Sequence, residues 1–392
     1  MTSHRFLPLA LTAGMVAAVV AAGPAGASTA PLQLTLPAPT GPDQIGTVSL
    51  HLVQAGRPDP YVPGRTRELM ISLTYPARHA DGYPVAPYMQ AGAWEAFQQS
   101  ISLSSVLVPQ TAAHEGAPLD GHPGGLPVIL YSPPSGGDRS FNTVLVQDLA
   151  SRGYVVLTVD HTYSDGEVEF PDGRVARRVL PEDPTTELIT TDVAERDKDM
   201  RFVLDELAAL DRGANPDAEH RKLPDGLRGA LNLNEVGMLG MSEGGSTAAA
   251  TMLDDTRIKA GIDLDGTLHG PVVTAGLKRP FMLLSAGDHD RDDDPTWASF
   301  WNASTGWKRD FQLLGSMHGS YFDGEVLFPQ LAGALGLTPT QLRNDIGTIN
   351  PARAITTESA YVDAFFDQHL RHHPRHLLDG PSPRFPDMVF MP

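Results

Sequence analysis

Ser242 stands in the pattern Gly240-x-Ser242-x-Gly244, between an apolar run at residues 236–241 and an alanine-rich stretch at 246–252. A strand that turns sharply into a helix is the setting in which such a serine acts as a nucleophile. Small residues are needed on both sides of the serine because strand and helix pass closely there. The bare pattern also occurs by chance in glycine-rich turns without chemistry. The flanking strand and helix favour a nucleophilic Ser242 and predict acyl transfer.

A serine hydroxyl is a weak nucleophile at neutral pH, so a base must take its proton during the attack. His318 follows the last predicted strand in a loop of small residues, 315–320, and it lies beyond Ser242 as the chain order serine, acid, histidine requires. His318 is therefore the predicted base. Of the other histidines after Ser242, two come too early in the chain, His269 and His289, and three belong to a polar tail, His372, His373 and His376.

The acid that would orient the base has two candidates, each at the end of a predicted strand. Asp265 follows the strand next after the one that carries the nucleophile, and Asp290 follows the strand after that. Motif logic alone leaves the choice between them open. The alternating acids 288–294 could also suggest a calcium loop, but no glycine stands at the required turn, which favours a charged surface loop.

An oxyanion hole requires two backbone N–H groups, one from the residue after the nucleophile and one from a loop after an earlier strand. Glu243 supplies the first. In the loop 132–138, Pro133 and Pro134 have no N–H, which leaves Ser135 or Gly136 for the second, and we favour Ser135.

The elements that must position these residues follow an α/β pattern. After two β-like runs at 46–53 and 68–75, expected to pair antiparallel, the segment 77–126 reads as an excursion over the sheet edge. Short apolar runs then alternate with helical stretches. Strands are predicted at 128–132, 154–160, 236–241, 258–264, 281–286 and 311–315, and helices at 141–152, 187–210, 244–253 and 358–370. This alternation predicts a single α/β-hydrolase domain over 28–392, with a mostly parallel sheet and helices on both faces.

Composition and the first residues indicate where the protein works. One basic residue, Arg5, precedes the apolar stretch 6–22, and Ala25-Gly26-Ala27 offers a cleavage site, so residues 1–27 are predicted to be a signal peptide removed near Ala27. The sequence has no cysteine, which excludes disulfides and thiolate chemistry, and its net charge of -18 argues against nucleic acid as a partner. We expect a secreted monomer without stable membrane anchor, metal or cofactor.

Several long stretches resemble the actinobacterial α/β-hydrolases related to the plasma type of platelet-activating-factor acetylhydrolase. They lie at 36–42, 50–53, 67–70, 148–156, 159–163, 167–173 and 379–384. In that family the acid lies in a segment similar to 261–266, and the histidine in one similar to 316–318. The resemblance therefore implies Asp265 as the acid. The acetylhydrolases proper carry His-Gly where this chain has Pro133-Pro134, and an aromatic residue where it has Glu243.

These observations predict a serine carboxylic-ester hydrolase that forms an acyl-enzyme on a small ester or lipid. Three alternatives are compatible with parts of the pattern. An exported amidase or peptidase would use the same three residues on a different bond. A polyester or lipid hydrolase would differ in having an open cleft. A non-catalytic binding module is disfavoured because all three members of the constellation are present.

Overall fold

The structure is a computed structural model that describes residues 30–391 of the chain. Within that range the strands, in chain order, are β1 (Leu32–Gln33), β2 (Gln44–Pro58), β3 (Thr66–Ala77), β4 (Val85–Pro87), β5 (Val106–Leu107), β6 (Gln110–Glu115), β7 (Leu126–Ser132), β8 (Val155–Asp160), β9 (Glu167–Glu169), β10 (Val175–Arg177), β11 (Leu231–Met241), β12 (Ile258–Leu264), β13 (Phe281–Ser285), β14 (Lys308–Leu313) and β15 (Met388–Phe390). The helices are α1 (Ala91–Ser100), α2 (Thr143–Ala150), α3 (Thr186–Asp211), α4 (Glu243–Asp254), α5 (Val272–Ala275), α6 (Pro295–Ala303), α7 (Gly324–Leu335), α8 (Pro339–Ile346) and α9 (Pro351–His369).

Eleven of the strands form one sheet in the order β15-β14-β13-β12-β11-β7-β8-β3-β2-β6-β4. The six strands from β14 to β8 run parallel to one another. Such strands are buried on both faces, which explains their continuous apolar sequences. Because parallel strands end at the same edge, the loops that follow β7, β11, β12, β13 and β14 meet there.

The opening pair is antiparallel, as predicted, but both strands are longer than the sequence pattern suggested. β2 pairs with β3 from Gln44 opposite Ala77 to Val53 opposite Glu68, and again at Pro58 opposite Thr66. β3 then joins the parallel strands through an antiparallel pairing with β8. In the segment 77–126, β6 and β4 continue the sheet beyond β2, and the segment also contains the helix α1.

Two large apolar clusters cover the opposite faces of the sheet. Alternate residues of β7 belong to different clusters: Val128 and Leu130 to the first, Ile129 and Tyr131 to the second. Residues of α3, α4 and α6 complete the first cluster, and residues of α2 and α9 complete the second. Helices therefore lie on both faces, which confirms the predicted single α/β-hydrolase domain.

Most predicted elements of the parallel region are present with small changes in their bounds. β12 coincides with the predicted strand. β14 begins three residues before the start of the predicted strand and ends two residues before its end. α9 begins at Pro351 rather than at residue 358. The predicted signal peptide lies outside the described residues. Within residues 30–391 none of the helices has the length and apolar character needed to cross a bilayer.

Candidate active site

Ser242 occupies the single-residue turn between β11 and α4, with a backbone φ of 55°. This left-handed conformation is uncommon for residues other than glycine and stores strain at the turn. Serine at a helix N-cap usually accepts a hydrogen bond from the first helical turn. The side chain of Ser242 makes no such capping bond. Its hydroxyl therefore remains available at the start of the helix.

The two glycines of the motif are required by close backbone contacts. A Cβ atom on Gly240 would overlap the carbonyl carbon of Gly244, and a Cβ atom on Gly244 would overlap the carbonyl oxygen of Ser132 at the end of β7. The turn consequently packs directly against the neighbouring strand. This is the physical reason for glycine at both positions, as the sequence analysis expected.

Substitution of Gly244 by alanine is expected to lower the free energy of unfolding by about 1–3 kcal/mol, because the added methyl group overpacks the contact with Ser132. Gly333 in α7 provides the matched control, since a Cβ atom there meets nothing outside its own helix. Gly333→Ala is expected to be neutral or slightly stabilising. Denaturant unfolding of both variants measures the difference, and equal midpoints would contradict the packing argument.

The backbone of Ser242 is joined to the loop that carries Asp265. Its N–H donates to the carbonyl oxygen of Leu264 at 2.8 Å, at the end of the adjacent strand β12. On Gly266 a Cβ atom would overlap the carbonyl oxygen of Ser242, so only glycine fits there. The nucleophile candidate and the acid candidate thus leave neighbouring strands at the same edge of the sheet.

His318 reaches Asp265 from the loop after β14. Its Nδ1 lies 2.6 Å from Asp265 Oδ2. The carboxylate is buried, whereas 47% of the His318 side chain is exposed. A histidine that donates from Nδ1 to a carboxylate presents Nε2 as a base. Asp290, the alternative acid, instead accepts hydrogen bonds from the backbone N–H groups of Asp292 and Asp293 in its own loop.

Asp265 also contacts a second histidine, which the sequence analysis set aside. His289 Nδ1 lies 2.9 Å from Asp265 Oδ1, and the backbone N–H of Ala286 donates to the same oxygen at 2.7 Å. Burial alone would raise the pKa of Asp265, but the hydrogen bonds from His289 and His318 hold it well below its ordinary value. Asp265 is therefore an ionised carboxylate whose two oxygens face two different imidazoles.

The two backbone N–H groups predicted to form the oxyanion hole belong to Ser135, in the loop after β7, and to Glu243, at the start of α4. Glu243 begins α4, so its N–H has no partner within the helix. Among hydrogen bonds between residues 30–391, none uses the N–H of Ser135 or of Glu243. The hydroxyl of Ser135 accepts from Arg178 Nη2 at 3.1 Å. Both amides predicted to bind an oxyanion thus remain free to donate.

Arg196 of α3 links the two elements that carry these amides. Its Nη1 donates to the carbonyl oxygen of Pro133 at 2.8 Å, and its Nη2 lies 3.7 Å from Glu243 Oε2 and 2.8 Å from Asp165 Oδ1. All of these side chains are buried. Loss of one partner in such a network would leave a buried charge uncompensated. The ion pairs therefore hold the two elements in this arrangement.

The three acids around Arg196 are Glu243, Asp192 and Asp165, and their pKa values are shifted in different directions. Burial raises the pKa of Glu243 to about 7, with Asp192 adding to the increase and Arg196 opposing it. Burial opposes ionisation of Asp192 as well, yet Arg196 and hydrogen bonds lower its pKa to about 2. Burial raises the pKa of Asp165 well above its ordinary value. Asp192 is thus the carboxylate that balances Arg196.

A second buried chain of polar groups supports the end of β7. Ser132 Oγ lies 3.0 Å from His161 Nε2, and His161 Nδ1 lies 2.9 Å from Asp199 Oδ2. Burial lowers the pKa of His161 to about 4, so this imidazole is neutral. Neither this chain nor Arg196 was predicted from the sequence. The available signal was a charged stripe on α3, at residues 192, 196 and 199.

Among residues 30–391, histidine and acidic side chains form no cluster suited to a metal ion. Two of the alternating acids 288–294, Asp290 and Asp294, accept hydrogen bonds from neighbouring backbone N–H groups. Asp294 is the N-cap of α6, where its Oδ1 accepts from the backbone N–H groups of Thr296 and Trp297.

Comparisons with known proteins identify relatives of this chain. A family model described as platelet-activating factor acetylhydrolase, isoform II, matches residues 90–376. The matched range includes Ser242, Asp265 and His318 and leaves out β1 to β4. It therefore covers the parallel part of the sheet and the whole of the candidate site.

Two curated proteins and one solved structure extend the comparison. A probable 1-alkyl-2-acetylglycerophosphocholine esterase of Arthroderma benhamiae is 29% identical over 93% of this chain and 96% of its own length. A platelet-activating factor acetylhydrolase of Cavia porcellus is 22% identical over 62% of this chain and 59% of its own. The solved structure is a ferulic acid esterase from Streptomyces cinnamoneus, with a TM-score of 0.78 and 34% identity, which matches 92% of this chain and 99% of that chain.

Proposed function

The chain belongs to the platelet-activating factor acetylhydrolase, isoform II family, and from this premise we propose that it hydrolyses carboxylic esters through Ser242, His318 and Asp265. Its relatives are named as esterases and acetylhydrolases, and its structural neighbour as a ferulic acid esterase. The proposed substrate class is a small-molecule or lipid ester. The reaction proceeds through an acyl-enzyme on Ser242.

In the first step His318 Nε2 takes the proton of the Ser242 hydroxyl while Oγ attacks the ester carbonyl carbon. Asp265 orients the imidazole through Nδ1 and stabilises the imidazolium that forms. The amides of Ser135 and Glu243 donate to the oxyanion of the tetrahedral intermediate. His318 then protonates the departing alkoxide. Water repeats the sequence on the acyl-enzyme and releases the acid.

One observation carries this proposal: the 2.6 Å contact between His318 Nδ1 and Asp265 Oδ2, at the strand edge where Ser242 N donates to Leu264. The three residues lie in separate loops at one edge of the sheet, so a packing role for one loop does not account for the contact between His318 and Asp265. The exposed face of His318 leaves room for a substrate to approach.

A labelled fluorophosphonate and an ester panel test the function. We expect the probe to form one adduct, located by peptide mass spectrometry on the peptide that contains Ser242. We also expect p-nitrophenyl acetate and butyrate to be hydrolysed, in a panel that runs to the palmitate beside a short-chain phospholipid and methyl ferulate. Activity on peptide amides without activity on any ester would overturn the assignment in favour of an amidase.

The carboxyl group of Glu243 predicts a loss of activity at alkaline pH. Its pKa is raised to about 7, so it becomes anionic above that pH. A negative charge next to the amide that binds the oxyanion opposes the transition state, and kcat is expected to fall roughly tenfold between pH 6 and pH 9. Glu243→Gln is expected to remove this decline.

The matched control for Glu243→Gln is Glu187→Gln, since Glu187 is an exposed acid in the first turn of α3. It should retain the alkaline decline of the parent protein. The measurement is kcat as a function of pH on p-nitrophenyl butyrate. A Glu243→Gln profile that superimposes on the parent profile would refute the role of this carboxyl group.

We further propose that the protein is exported after removal of residues 1–27 and that it acts as a monomer. The support for export is the pattern of a basic residue, an apolar stretch and small residues at the start of the sequence. Amino-terminal sequencing of protein from the culture medium tests the cleavage near Ala27. Light scattering coupled to gel filtration tests the monomer.

A further inference from the structure

The environment of His289 is a built site between two carboxylates. His289 Nδ1 lies 2.9 Å from Asp265 Oδ1, and Nε2 lies 3.3 Å from Asp294 Oδ2. The imidazole ring packs on the buried indole of Trp297, with ring centroids 4.4 Å apart. Only 15% of the side chain is exposed. The ring is thus fixed on both edges and on one face.

Asp294, the second carboxylate, is itself held in place. Its Oδ2 accepts from the hydroxyl of Thr267 at 2.9 Å, and its Oδ1 caps the N-terminus of α6. Helix N-termini favour a negative charge. Burial opposes ionisation of Asp294, but hydrogen bonds from His289 and Thr296 lower its pKa to about 2. Both oxygens that face His289 therefore belong to ionised groups.

This geometry dictates the protonation state of His289. A neutral imidazole has one N–H and would direct the lone pair of its other nitrogen at a carboxylate oxygen. With both N–H groups present, each carboxylate receives a donor. Burial alone would lower the pKa of His289, but the hydrogen bonds to Asp265 and Asp294 raise it to about 10.

The other charged groups around His289 come from neighbouring strands and their loops. On β14, Asp310 pairs with Arg291 at 2.6 Å, and burial raises the pKa of Asp310 to about 6. On β12, burial raises the pKa of Asp263 well above its ordinary value, which disfavours its charged form. His318 shares Asp265 from the loop after β14. Asp265 and Asp294 thus remain the direct counter-ions of His289.

We propose that His289 is a permanently charged positioning residue, which fixes the Asp265 carboxylate and takes up part of its negative charge, so that less of that charge acts on His318. The proposal rests on the catalytic roles proposed above. A carboxylate that faces a single imidazole is free to rotate about its terminal bond. Here the second imidazole and the N–H of Ala286 hold Oδ1, which leaves Oδ2 for His318.

Two substitutions separate the charge of His289 from its hydrogen bond. In His289→Asn the side-chain amide can still donate to Asp265 Oδ1 from a position close to that of Nδ1, but the charge is lost. His289→Ala removes both the charge and the donor. His372→Asn is the control, because His372 is an exposed residue of the tail, bound to Glu235.

The readout is the pH dependence of kcat/KM on p-nitrophenyl butyrate. Loss of the positive charge leaves the full negative charge of Asp265 beside the active-site base, so the acid limb of the pH profile is expected to move upward by about one pH unit in both His289 variants. In His289→Ala the plateau of kcat is also expected to fall about 10²-fold, because the carboxylate is no longer held in place. An acid limb unmoved in His289→Asn would overturn the charge role.

An NMR measurement tests the proposal without turnover. In isotope-labelled parent protein, the imidazole signals absent from His289→Asn identify His289, and we expect two N–H protons on that ring at about pH 8. A ring with one N–H at that pH would overturn the proposal. If the parent protein hydrolysed no ester while His289 carried two N–H protons, the proposed function would fail and the charge state would stand.

Discussion

Replacement of Ser242 by alanine is expected to lower kcat on a short p-nitrophenyl ester by roughly 10⁶-fold, the loss typical of a removed serine nucleophile. The turn that carries Ser242 gives its hydroxyl no structural task, since it caps no helix. The variant should therefore fold with unchanged stability. It should also lose all labelling by a fluorophosphonate probe.

Ser299→Ala is the matched control for this experiment. Ser299 is a half-buried serine of α6 whose hydroxyl donates to the carbonyl oxygen of Val273 at 3.0 Å. Its loss should leave labelling and turnover unchanged. Thermal unfolding of both variants separates loss of the nucleophile from loss of the fold. Continued labelling of Ser242→Ala would mean that another serine is the nucleophile.

Those parts of the fold that rest on one local signal were predictable from the sequence. β12 is apolar over its whole length, and its predicted bounds coincide with those observed. The glycines at 240 and 244 were expected to allow close packing. A Cβ atom on Gly244 would overlap the carbonyl oxygen of Ser132, which is one such close contact. Strong local patterns of this kind determine an element before tertiary contacts do.

Long-range pairing was harder to predict because no local pattern encodes it. The extension of the sheet by β6 and β4 depends on which strands lie beside β2, and the segment 77–126 is short of apolar periodicity. β15 has three residues and pairs with β14 from the far end of the chain. Such short edge strands are stabilised by their neighbours rather than by their own sequence.

Within the candidate site, the chain order serine, acid, histidine identified the three proposed catalytic residues. It did not identify the residues that position them. His289 was set aside because it lies too early to be the base. It stands four residues after the end of β13, the strand beside β12, so its place at the same edge was a usable signal. The buried position of Arg196 was harder to predict, because an arginine on a long helix is usually exposed.

Asp265→Asn is expected to lower kcat on p-nitrophenyl butyrate by about 10⁴-fold, the loss seen when the acid of such a triad becomes an amide. An amide group can turn its NH₂ toward His318 Nδ1, which selects the wrong tautomer and leaves no lone pair on Nε2 to take the serine proton. The substitution also removes a counter-ion from His289, so the measurement needs thermal unfolding beside it.

Asp290→Asn decides between the two acids that the sequence left open. Asp290 accepts hydrogen bonds from backbone N–H groups of its own loop, and an asparagine oxygen can still accept them. The kcat of Asp290→Asn is therefore expected to remain within about twofold of the parent value. Substitutions that preserve local hydrogen bonds and lie away from the buried core have small effects. A greater loss in Asp290→Asn than in Asp265→Asn would reverse the assignment. We expect a much larger loss of kcat in Asp265→Asn than in Asp290→Asn. Among the described acids only Asp265 lies within hydrogen-bonding distance of His318. An acid that does not contact the imidazole cannot select its tautomer.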